Sequence, residues 1–446
     1  MKSDNILIIG SGVSGLGAAQ LARKLNYNVR VTSKDAIGEC EKNIFSDLSI
    51  EFEEYMHSKS NIHWADLIVK SPGIASDTTF LKQVKKEGVL IISEIEFAYR
   101  NTDANIIAIT GTNGKTTTST LLWHILNNAG LNVGLVGNIG YSFSESVMND
   151  KYDYYVLEVS SFQLEDIYDF KPNVSIILNI AEDHLDRYNQ KIDDYISAKM
   201  KITMNQDSVD SFIYFSDDNN INNKLSSIKS KKYPFSCDKK NHNQLGAWIN
   251  NNQIIIKTIK NHFTMTIHNL ALQGTHNIYN SMAASIAASA IGIKDEIIKK
   301  SLYDFRGIEH RLEFVSRVAG VSFINDSKAT NCNAVYYALE TATSPIIWIC
   351  GGVDKGNDYS ILKDLVQRKV KAIIIIGKNG KKISNSFQKD VDTIVEVNNM
   401  EKAVKTSFEV ADAADTVLLS PACSSFDLFK NYEERGRAFK NAVLSI

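Results

Sequence analysis

A glycine-rich segment with one lysine and several hydroxyl side chains has the composition of a phosphate-binding loop. Its residues are Thr110, Gly111, Thr112, Asn113, Gly114, Lys115, Thr116 and Thr117. It follows a predicted strand over 106–110 and opens a predicted helix, so backbone N–H groups and the helix dipole favour an anion there. We expect Lys115 to neutralise nucleotide β- and γ-phosphates and the Thr116 hydroxyl to bind Mg²⁺. Ile109 takes the place of the first glycine of the full pattern, so the loop is a shortened one.

A second glycine turn follows the apolar run 6–9 near the start of the sequence. It comprises Gly10, Gly12 and Gly15. This spacing is that of a dinucleotide fingerprint, but an NAD site expects an acidic residue after the next strand, where it binds the ribose. Ser33 and Lys34 stand there instead, and they suit a phosphate better. A tight turn that only packs a helix on a strand is the alternative interpretation.

Acidic and imidazole side chains follow two strands of the same predicted unit as the phosphate loop. Glu158 ends the predicted strand 154–157, and His184 and Asp186 lie beyond the predicted strand 174–178. The carboxyl ends of parallel strands meet at one edge, where doubly wound folds bind ligands. We therefore expect Glu158 and His184 to be Mg²⁺ ligands near a transferred phosphate. A surface or capping role is the alternative for His184.

Three small, polar loops follow predicted strands nearer the C-terminus. They are 325–331, 351–355 and 420–426. Lys328 and Lys355 in these loops can bind carboxylate or phosphate as point charges. Two lysines and several hydroxyl groups after different strands favour a substrate-binding cradle over solvated surface loops. We expect Cys423 to be structural, because no histidine suitable for activating it lies nearby in the sequence.

The elements that must position these residues are short apolar strands followed by helices. Three times such a strand runs into a glycine-bearing turn, and continuous Ile/Val/Leu runs are typical of parallel strands buried on both faces. The 446 residues, 44% of them hydrophobic, suffice for two to four domains. We predict an α/β chain of three consecutive Rossmann-like domains with mostly parallel sheets over 1–94, 95–305 and 306–446. The central domain is expected to have a P-loop-type ATPase fold.

Charge and cysteine usage exclude several classes of protein. The formal net charge of −2 argues against a protein that coats nucleic acid or an anionic membrane. The five cysteines show no CxxC spacing, which favours reduced thiols in the cytoplasm over a zinc site or a disulfide framework. Apolar runs stay shorter than the roughly 18 residues that a membrane span needs. We expect a cytoplasmic protein without membrane insertion.

The chain resembles the Mur ligase family along essentially its whole length. The motifs that carry the resemblance are 71–73, 111–117, 137–140, 158–164, 179–186, 198–199, 274–280, 310–313, 325–331 and 420–427. The last two are typical of the member that adds D-glutamate. Ser33 and Lys34 stand where Thr and Arg are usual, which keeps a hydroxyl and a cation but loses bidentate phosphate binding. Tyr432 stands where Phe is common.

The resemblance implies a role for each matching position. The UDP-sugar would be bound by Val13, Ser14, Ser33, Lys34, Ser71, Pro72, Gly73, Asn138 and His184. Beyond the phosphate loop, ATP would be contacted by Asn277, Asn280, Arg311 and Asp326. D-Glutamate would be bound by Lys328, Thr330, Lys355, Ser425, Phe426 and Tyr432. Two Mg²⁺ sites would use Thr116, Glu158, His184 and a carbamate on Lys199, and the catalytic residues would be Lys115, Asn138, His184 and Lys199.

The implied reaction is ATP-dependent amide formation between UDP-N-acetylmuramoyl-L-alanine and D-glutamate through an acyl phosphate, in peptidoglycan precursor synthesis. The implied enzyme is a monomer whose partners are small molecules and not nucleic acid. Another Mur-type ligase or a folylpolyglutamate synthase, adding a different residue, is the nearest alternative. An NAD-dependent dehydrogenase would leave the phosphate loop unexplained. A non-catalytic nucleotide sensor would keep Lys115 but has no need of Lys199.

Overall fold

The described residues of the chain form three β-sheets. The computed structural model describes residues 5–237, 245–305, 309–354, 356–377 and 380–446. One unit comprises the described residues up to Ala271 together with Asn277–Phe305, and the other comprises Leu272–His276 and the described residues from Glu309 onward. The first unit contains two sheets and the second contains one. The domain boundary near residue 94, between the first two sheets, stays a prediction, as does the boundary near 305.

The first sheet has five parallel strands in the order β3-β2-β1-β4-β5. The strands are β1 Asn5–Ile9, β2 Asn28–Thr32, β3 Glu51–Glu53, β4 Leu67–Lys70 and β5 Leu90–Ser93. The helices are α1 Val13–Lys24, α2 Glu39–Asp47, α3 Lys59–Trp64, α4 Thr79–Glu87 and α5 Glu94–Tyr99. Successive residues of β1 alternate between two apolar clusters, Ile6 and Ile8 in one and Leu7 and Ile9 in the other. This double burial explains the uninterrupted apolar run of the strand.

The glycine turn after β1 brings the backbone of α1 against the end of the strand. Gly10 has a φ of +97°, and a Cβ atom on Gly15 would lie 1.9 Å from the Gly10 carbonyl oxygen. A Cβ atom on Gly10 would lie 2.7 Å from the Ser71 Oγ atom. Gly15 therefore permits the close helix–strand contact, and Gly10 lies directly beside the loop after β4.

Gly15→Ala is expected to lower the free energy of unfolding by about 2 kcal/mol, because the new methyl group must displace a backbone carbonyl. Gly12→Ala is the matched control, since nothing lies within 4 Å of a Cβ atom at that position. Its effect is expected to stay within about 0.5 kcal/mol. Urea titrations followed by circular dichroism measure both variants. Equal losses in the two would contradict the steric explanation.

The second sheet has nine strands in the order β14-β13-β12-β11-β10-β9-β6-β8-β7, parallel except for the pairs β12–β13 and β13–β14. Its strands are β6 Asn105–Thr110, β7 Val133–Gly137, β8 Tyr154–Glu158, β9 Val174–Ile177, β10 Ser211–Phe215, β11 Lys231–Ser236, β12 Gly246–Asn250, β13 Gln253–Lys257 and β14 His262–Thr266. The helices that follow in the chain are α6 Lys115–Asn128, α7 Phe143–Asn149, α8 Ile192–Met200, α9 Asn219–Asn222, α10 Thr275–Ile291 and α11 Asp295–Asp304. Central β6 places the phosphate loop at the carboxyl edge of this sheet.

Glu94, the first residue of α5, is a carboxylic acid buried against α7. One of its oxygens, Oε1, accepts a hydrogen bond of 2.6 Å from the backbone N–H of Ser144. Burial raises the pKa of Glu94 to about 7, although the bonds from Ser144 oppose this rise. The carboxyl group is therefore protonated in the folded protein at pH values where it is ionised in the unfolded chain.

The unfolding free energy should consequently fall as the pH rises from 4.5, the ordinary value for this group, to about 7. Between these values the folded state binds more protons than the unfolded state, so the slope is at most about 1.4 kcal/mol per pH unit. Glu94→Gln removes this titration. The difference between the unfolding free energies of the two proteins should therefore shift in favour of the variant as the pH rises across the same interval. Urea unfolding in a pH series measures the difference. A constant difference between the two proteins would contradict the assignment.

The third sheet has six strands in the order β15-β16-β20-β17-β18-β19, parallel except for the pair β15–β16. The strands are β15 Glu313–Val318, β16 Val321–Asn325, β17 Ile346–Cys350, β18 Val370–Ile376, β19 Thr393–Val397 and β20 Thr416–Leu419. The helices are α12 Cys332–Thr341, α13 Lys363–Lys369, α14 Gly380–Phe387, α15 Met400–Val410 and α16 Tyr432–Leu444. Apolar clusters lie on both of its faces. The predicted α/β class with mostly parallel sheets is confirmed.

Candidate active site

The phosphate loop leaves β6 and enters α6 at Lys115. The Lys115 ammonium donates hydrogen bonds to the carbonyl oxygens of Gly111 at 2.8 Å and Thr112 at 3.0 Å. Gly114 has a φ of +87°, a conformation that favours glycine, and a Cβ atom there would lie 2.4 Å from the Asn280 Oδ1 atom. The strand, loop and helix predicted from the sequence are therefore present in that order.

The segment after β9 braces the phosphate loop. Asn113 donates its backbone N–H to the Asn179 Oδ1 atom at 2.9 Å, and the Asn179 amide donates back to the Asn113 carbonyl oxygen at 3.0 Å. The Thr112 hydroxyl donates a hydrogen bond to the Ala181 carbonyl oxygen at 3.1 Å and accepts one from the Ala181 N–H at 3.0 Å. No role was predicted for Asn179, although it begins the 179–186 motif of the family resemblance and follows a strand that neighbours β6.

Helix α10 presents two buried asparagines beside the loop. The Asn280 Oδ1 atom accepts a hydrogen bond from the Thr118 hydroxyl at 3.2 Å, and its amide donates to the Asn277 Oδ1 atom at 3.3 Å. The predicted ATP contact Asn280 is thus brought to the phosphate loop, and Asn277 lies next to it. Asn280 also shapes the loop, since its side chain occupies the space beside Gly114.

Glu158 ends β8 at the same edge of the sheet. It is 1% exposed, and its register partner in the neighbouring strand β6 is Ile109, the residue before the phosphate loop begins. Its Oε1 atom accepts a hydrogen bond of 2.9 Å from the Asn138 amide, and its Oε2 atom one of 3.4 Å from the Ser119 hydroxyl. The structure therefore brings together Glu158 and Asn138, which were predicted as a metal ligand and a catalytic residue. Thr116 is buried in the first turn of α6.

Lys199, near the end of α8, points its ammonium at the phosphate loop. The group is 1% exposed, donates to the Gly111 carbonyl oxygen at 3.0 Å and lies 4.5 Å from the centre of the Tyr195 ring. Lys115 donates to the same carbonyl oxygen. Burial first, and the charge of Lys115 second, hold the pKa of Lys199 well below that of an ordinary lysine. Both effects disfavour the charged form of the Lys199 side chain.

His184 lies in a turn beyond β9. Its φ is +53°, and its side chain is 43% exposed. The imidazole lies 5.2 Å from the Phe162 ring, centre to centre, and 3.7 Å from the Asp183 carboxylate. An accessible imidazole in this place is compatible with a ligand or substrate contact. The same exposure fits the alternative of a surface histidine, so the role of His184 stays a prediction.

The predicted UDP-sugar residues of the first sheet gather at its carboxyl edge. Val13 is 63% exposed at the start of α1, and Lys34 is exposed after β2. Ser33 is buried, and its backbone N–H bonds the carbonyl oxygen of Glu53 at 3.0 Å. Ser71 lies beside Gly10. The remaining predicted contacts of this edge are partly or fully exposed, namely Ser14, Pro72 and Gly73.

In the second unit, Asp326 follows β16 as a buried carboxyl group. Its Oδ1 atom accepts a hydrogen bond from the Leu312 N–H at 3.2 Å, and its Oδ2 atom one from the Ser420 hydroxyl at 2.9 Å. Burial raises its pKa to about 7, although the nearby positive charge of Arg311 opposes the rise. The structure therefore brings the predicted nucleotide contacts Arg311 and Asp326 together.

The predicted D-glutamate residues lie on neighbouring loops of the third sheet. The Lys328 ammonium is 3.2 Å from the Tyr432 hydroxyl and 5.0 Å from the centre of its ring. Ser425 is buried, whereas Phe426 is 69% exposed and Thr330 is exposed. Lys355 lies outside the described residues. The structure thus pairs Lys328 with Tyr432 directly.

Arg435 supports these loops but was missed by the sequence analysis. Its guanidinium is buried and donates to the hydroxyl and the carbonyl oxygen of Ser327, at 3.0 and 2.8 Å. It also donates to the Cys423 carbonyl oxygen at 3.0 Å. The loops after β16 and β20 are therefore joined by one side chain. An arginine in a terminal amphipathic helix gives no sequence signal for this role.

Family models match three stretches of the chain. They describe the MurD-like N-terminal domain of Mur ligases at 4–93, the Mur ligase middle domain at 109–288 and the glutamate ligase domain of Mur ligases at 310–423. The UDP-N-acetylmuramoylalanine–D-glutamate ligases of Christiangramia forsetii and Bacteroides fragilis are each 46% identical, over 99% and 98% of this chain and 99% of each relative. The chain belongs to the Mur ligase family. The resemblance inferred from the motifs is confirmed.

A solved structure extends the comparison to the fold of this Mur ligase. The pseudomurein peptide ligase type C from Methanothermus fervidus is 21% identical, with a TM-score of 0.63 over 99% of both chains. At that identity the likeness concerns the fold alone. In the part of the chain that the structure describes, every helix is too short or too polar to cross a bilayer.

Proposed function

We propose that the protein is an ATP-dependent ligase that joins UDP-N-acetylmuramoyl-L-alanine to D-glutamate through an acyl phosphate, in peptidoglycan precursor synthesis. The observation that carries the proposal is the convergence of two lysines on one carbonyl of the phosphate loop, with Lys115 at 2.8 Å and Lys199 at 3.0 Å from the Gly111 oxygen. A nucleotide sensor has no need of the second lysine. The relatives that carry the D-glutamate ligase name support the choice of substrates.

The chemistry begins with a carboxylate, which is a poor acyl donor because its leaving group would be oxide. Transfer of the γ-phosphoryl group of ATP to the L-alanyl carboxylate gives an acyl phosphate and ADP. The amine of D-glutamate then attacks the acyl carbon, and the tetrahedral intermediate collapses to an amide and phosphate. Lys115 offsets the charge that builds on the transferred group, and the loop N–H groups orient it.

The residues beside the loop fit Mg²⁺. A hard cation prefers oxygen ligands, and the Thr116 hydroxyl, the Glu158 carboxylate and a carbamate on Lys199 would supply them, with His184 as a nitrogen ligand. An uncharged Lys199 amine can add CO₂ and lose a proton, which converts a neutral side chain into an anion. The ammonium form would instead place a second positive charge beside Lys115. Bound Mg²⁺ would neutralise phosphate charge and polarise the phosphoryl group.

The second unit would hold the amino acid and the nucleoside part of ATP. Lys328 would bind a carboxylate of D-glutamate, and the other contacts would be Thr330, Lys355, Ser425, Phe426 and Tyr432. Arg311 and Asp326 would contact the nucleotide. We place the enzyme in the cytoplasm, since ATP is available there and reducing conditions suit the thiols of Cys40, Cys332, Cys350 and Cys423. We propose that it acts as a monomer.

The deciding experiment measures phosphate release from MgATP and UDP-N-acetylmuramoyl-L-alanine, with bicarbonate present and one amino acid added at a time. Release with D-glutamate, and not with L-glutamate, L-alanine, L-lysine or diaminopimelate, is the expected result. Release with a different amino acid would reassign the protein to another ligase of the family. Failure with every amino acid would support the sensor interpretation.

A further inference from the structure

A buried group of ion pairs joins the loop after β4 to a segment of the second sheet. Lys70, the last residue of β4, is 1% exposed. Its ammonium lies 3.2 Å from the Glu165 Oε2 atom and 2.7 Å from the Asp166 Oδ2 atom. It also donates to the Ser76 hydroxyl at 2.8 Å and the Ile74 carbonyl oxygen at 3.2 Å. One cation therefore fixes its own loop and anchors it to the neighbouring sheet.

Arg187 approaches the same carboxylate from the other side. Its Nε and Nη2 atoms donate to the two oxygens of Glu165, at 3.1 and 2.8 Å. The guanidinium also donates to the carbonyl oxygens of Gly73 at 3.3 Å and Ile74 at 2.9 Å. Burial raises the pKa of Glu165, but the bonds and charges of Arg187 and Lys70 outweigh burial and lower it below its usual value. Glu165 is thus an ionised carboxylate held between two cations.

Arg187 belongs to the turn that presents His184. Its backbone N–H donates to the His184 carbonyl oxygen at 3.0 Å. Its guanidinium stacks 4.5 Å from the centre of the Phe162 ring, and the His184 imidazole packs on the same ring. A single side chain therefore contacts the carbonyls of the 71–74 loop and the residues that orient His184.

We propose that Glu165, Lys70 and Arg187 are positioning residues that fix the 71–74 loop at a set distance from His184, and so match the site to the length of the UDP-sugar. The inference rests on the proposed function, in which the 71–73 loop holds the UDP-sugar and His184 lies near its muramoyl end. A bidentate Arg–carboxylate pair suits this purpose, since it fixes direction as well as distance. These residues act through the loop and the turn, without a need to contact substrate.

Arg187→Met is expected to raise KM for UDP-N-acetylmuramoyl-L-alanine about tenfold, because the two substrate-binding segments lose their fixed spacing. KM values for ATP and D-glutamate should change less than about twofold. Arg100→Met is the matched control, since Arg100 in the same unit pairs with buried Glu96 at 2.8 Å and with Asp169 at 2.9 Å, rather than with Glu165. An unchanged KM for the UDP-sugar in Arg187→Met, or an equal rise in Arg100→Met, would overturn the inference.

Arg187→Lys covers the outcome in which Arg187→Met fails to fold. Lysine keeps the positive charge and the aliphatic part of the side chain but cannot donate two parallel hydrogen bonds to the Glu165 carboxylate. The variant is therefore expected to raise the KM for UDP-N-acetylmuramoyl-L-alanine by about threefold or more. Calorimetric titration with the UDP-sugar, without ATP, should show the same loss of affinity. A wild-type protein that neither binds nor ligates the UDP-sugar would refute the proposed function. An active wild type with Arg187→Met and Arg187→Lys variants of normal affinity would refute only the positioning role.

Discussion

Lys199→Met is expected to lower kcat by about a thousandfold while the protein still binds ATP. The lysine stem lies buried beside Tyr195, and methionine preserves most of its volume, so the loss should reflect the missing terminal group. In the proposed mechanism that group is a carbamate, which supplies negative charge next to Lys115. Phosphate release at saturating substrates measures kcat, and equilibrium titration measures ATP affinity.

Two comparisons separate the carbamate from a simple packing role of Lys199. Wild-type activity should fall in CO₂-free buffer and return on addition of bicarbonate, whereas Lys199→Met should respond to neither. Lys191→Ala, in the exposed residue that precedes the same helix, should leave kcat within about twofold of the wild type. A Lys199→Met variant that keeps more than a tenth of the wild-type kcat would contradict the proposed role.

The sequence predicted those parts of the molecule that depend on local pattern. Ile6 to Ile9 form a strand that is covered on both faces of the sheet. A strand buried on both faces needs an unbroken run of apolar residues, and the sequence shows that run directly. The phosphate loop was equally visible, since its two glycines and Lys115 lie within five residues of one another and the positive φ of the glycines follows from residue type. Such features need no knowledge of distant residues.

Supporting residues escaped prediction because their partners are far away in the chain. Asn179 binds a loop residue 66 positions earlier, and Arg435 binds Ser327 from 108 positions away. The lowered pKa of Lys199 is also non-local, since it arises from burial and from the charge of Lys115. Composition marks these side chains only as polar. Their roles follow from the sheet order, which brings distant loops to one edge.

Lys115→Met is expected to reduce phosphate release by about a thousandfold, which makes it the other substitution with a very large effect. The Lys115 ammonium bonds the Gly111 and Thr112 carbonyl oxygens, and it is held at the point where the loop and the start of α6 favour an anion. Methionine keeps the stem but removes the charge that offsets the transferred phosphoryl group. The loss should therefore appear in kcat more than in the KM for D-glutamate.

Two further substitutions test whether the position of the Lys115 charge matters as well as its sign. Lys115→Arg keeps the charge, but its planar fork cannot replace an ammonium bonded to two carbonyls of one tight loop, so a loss of about tenfold or more is expected. Lys363→Met also changes the first residue of a helix, and its side chain is 54% exposed in the second unit. It should retain activity within about twofold. If Lys115→Met resembled Lys363→Met, the phosphate loop would have no part in the reaction, and the ligase mechanism would fail with it.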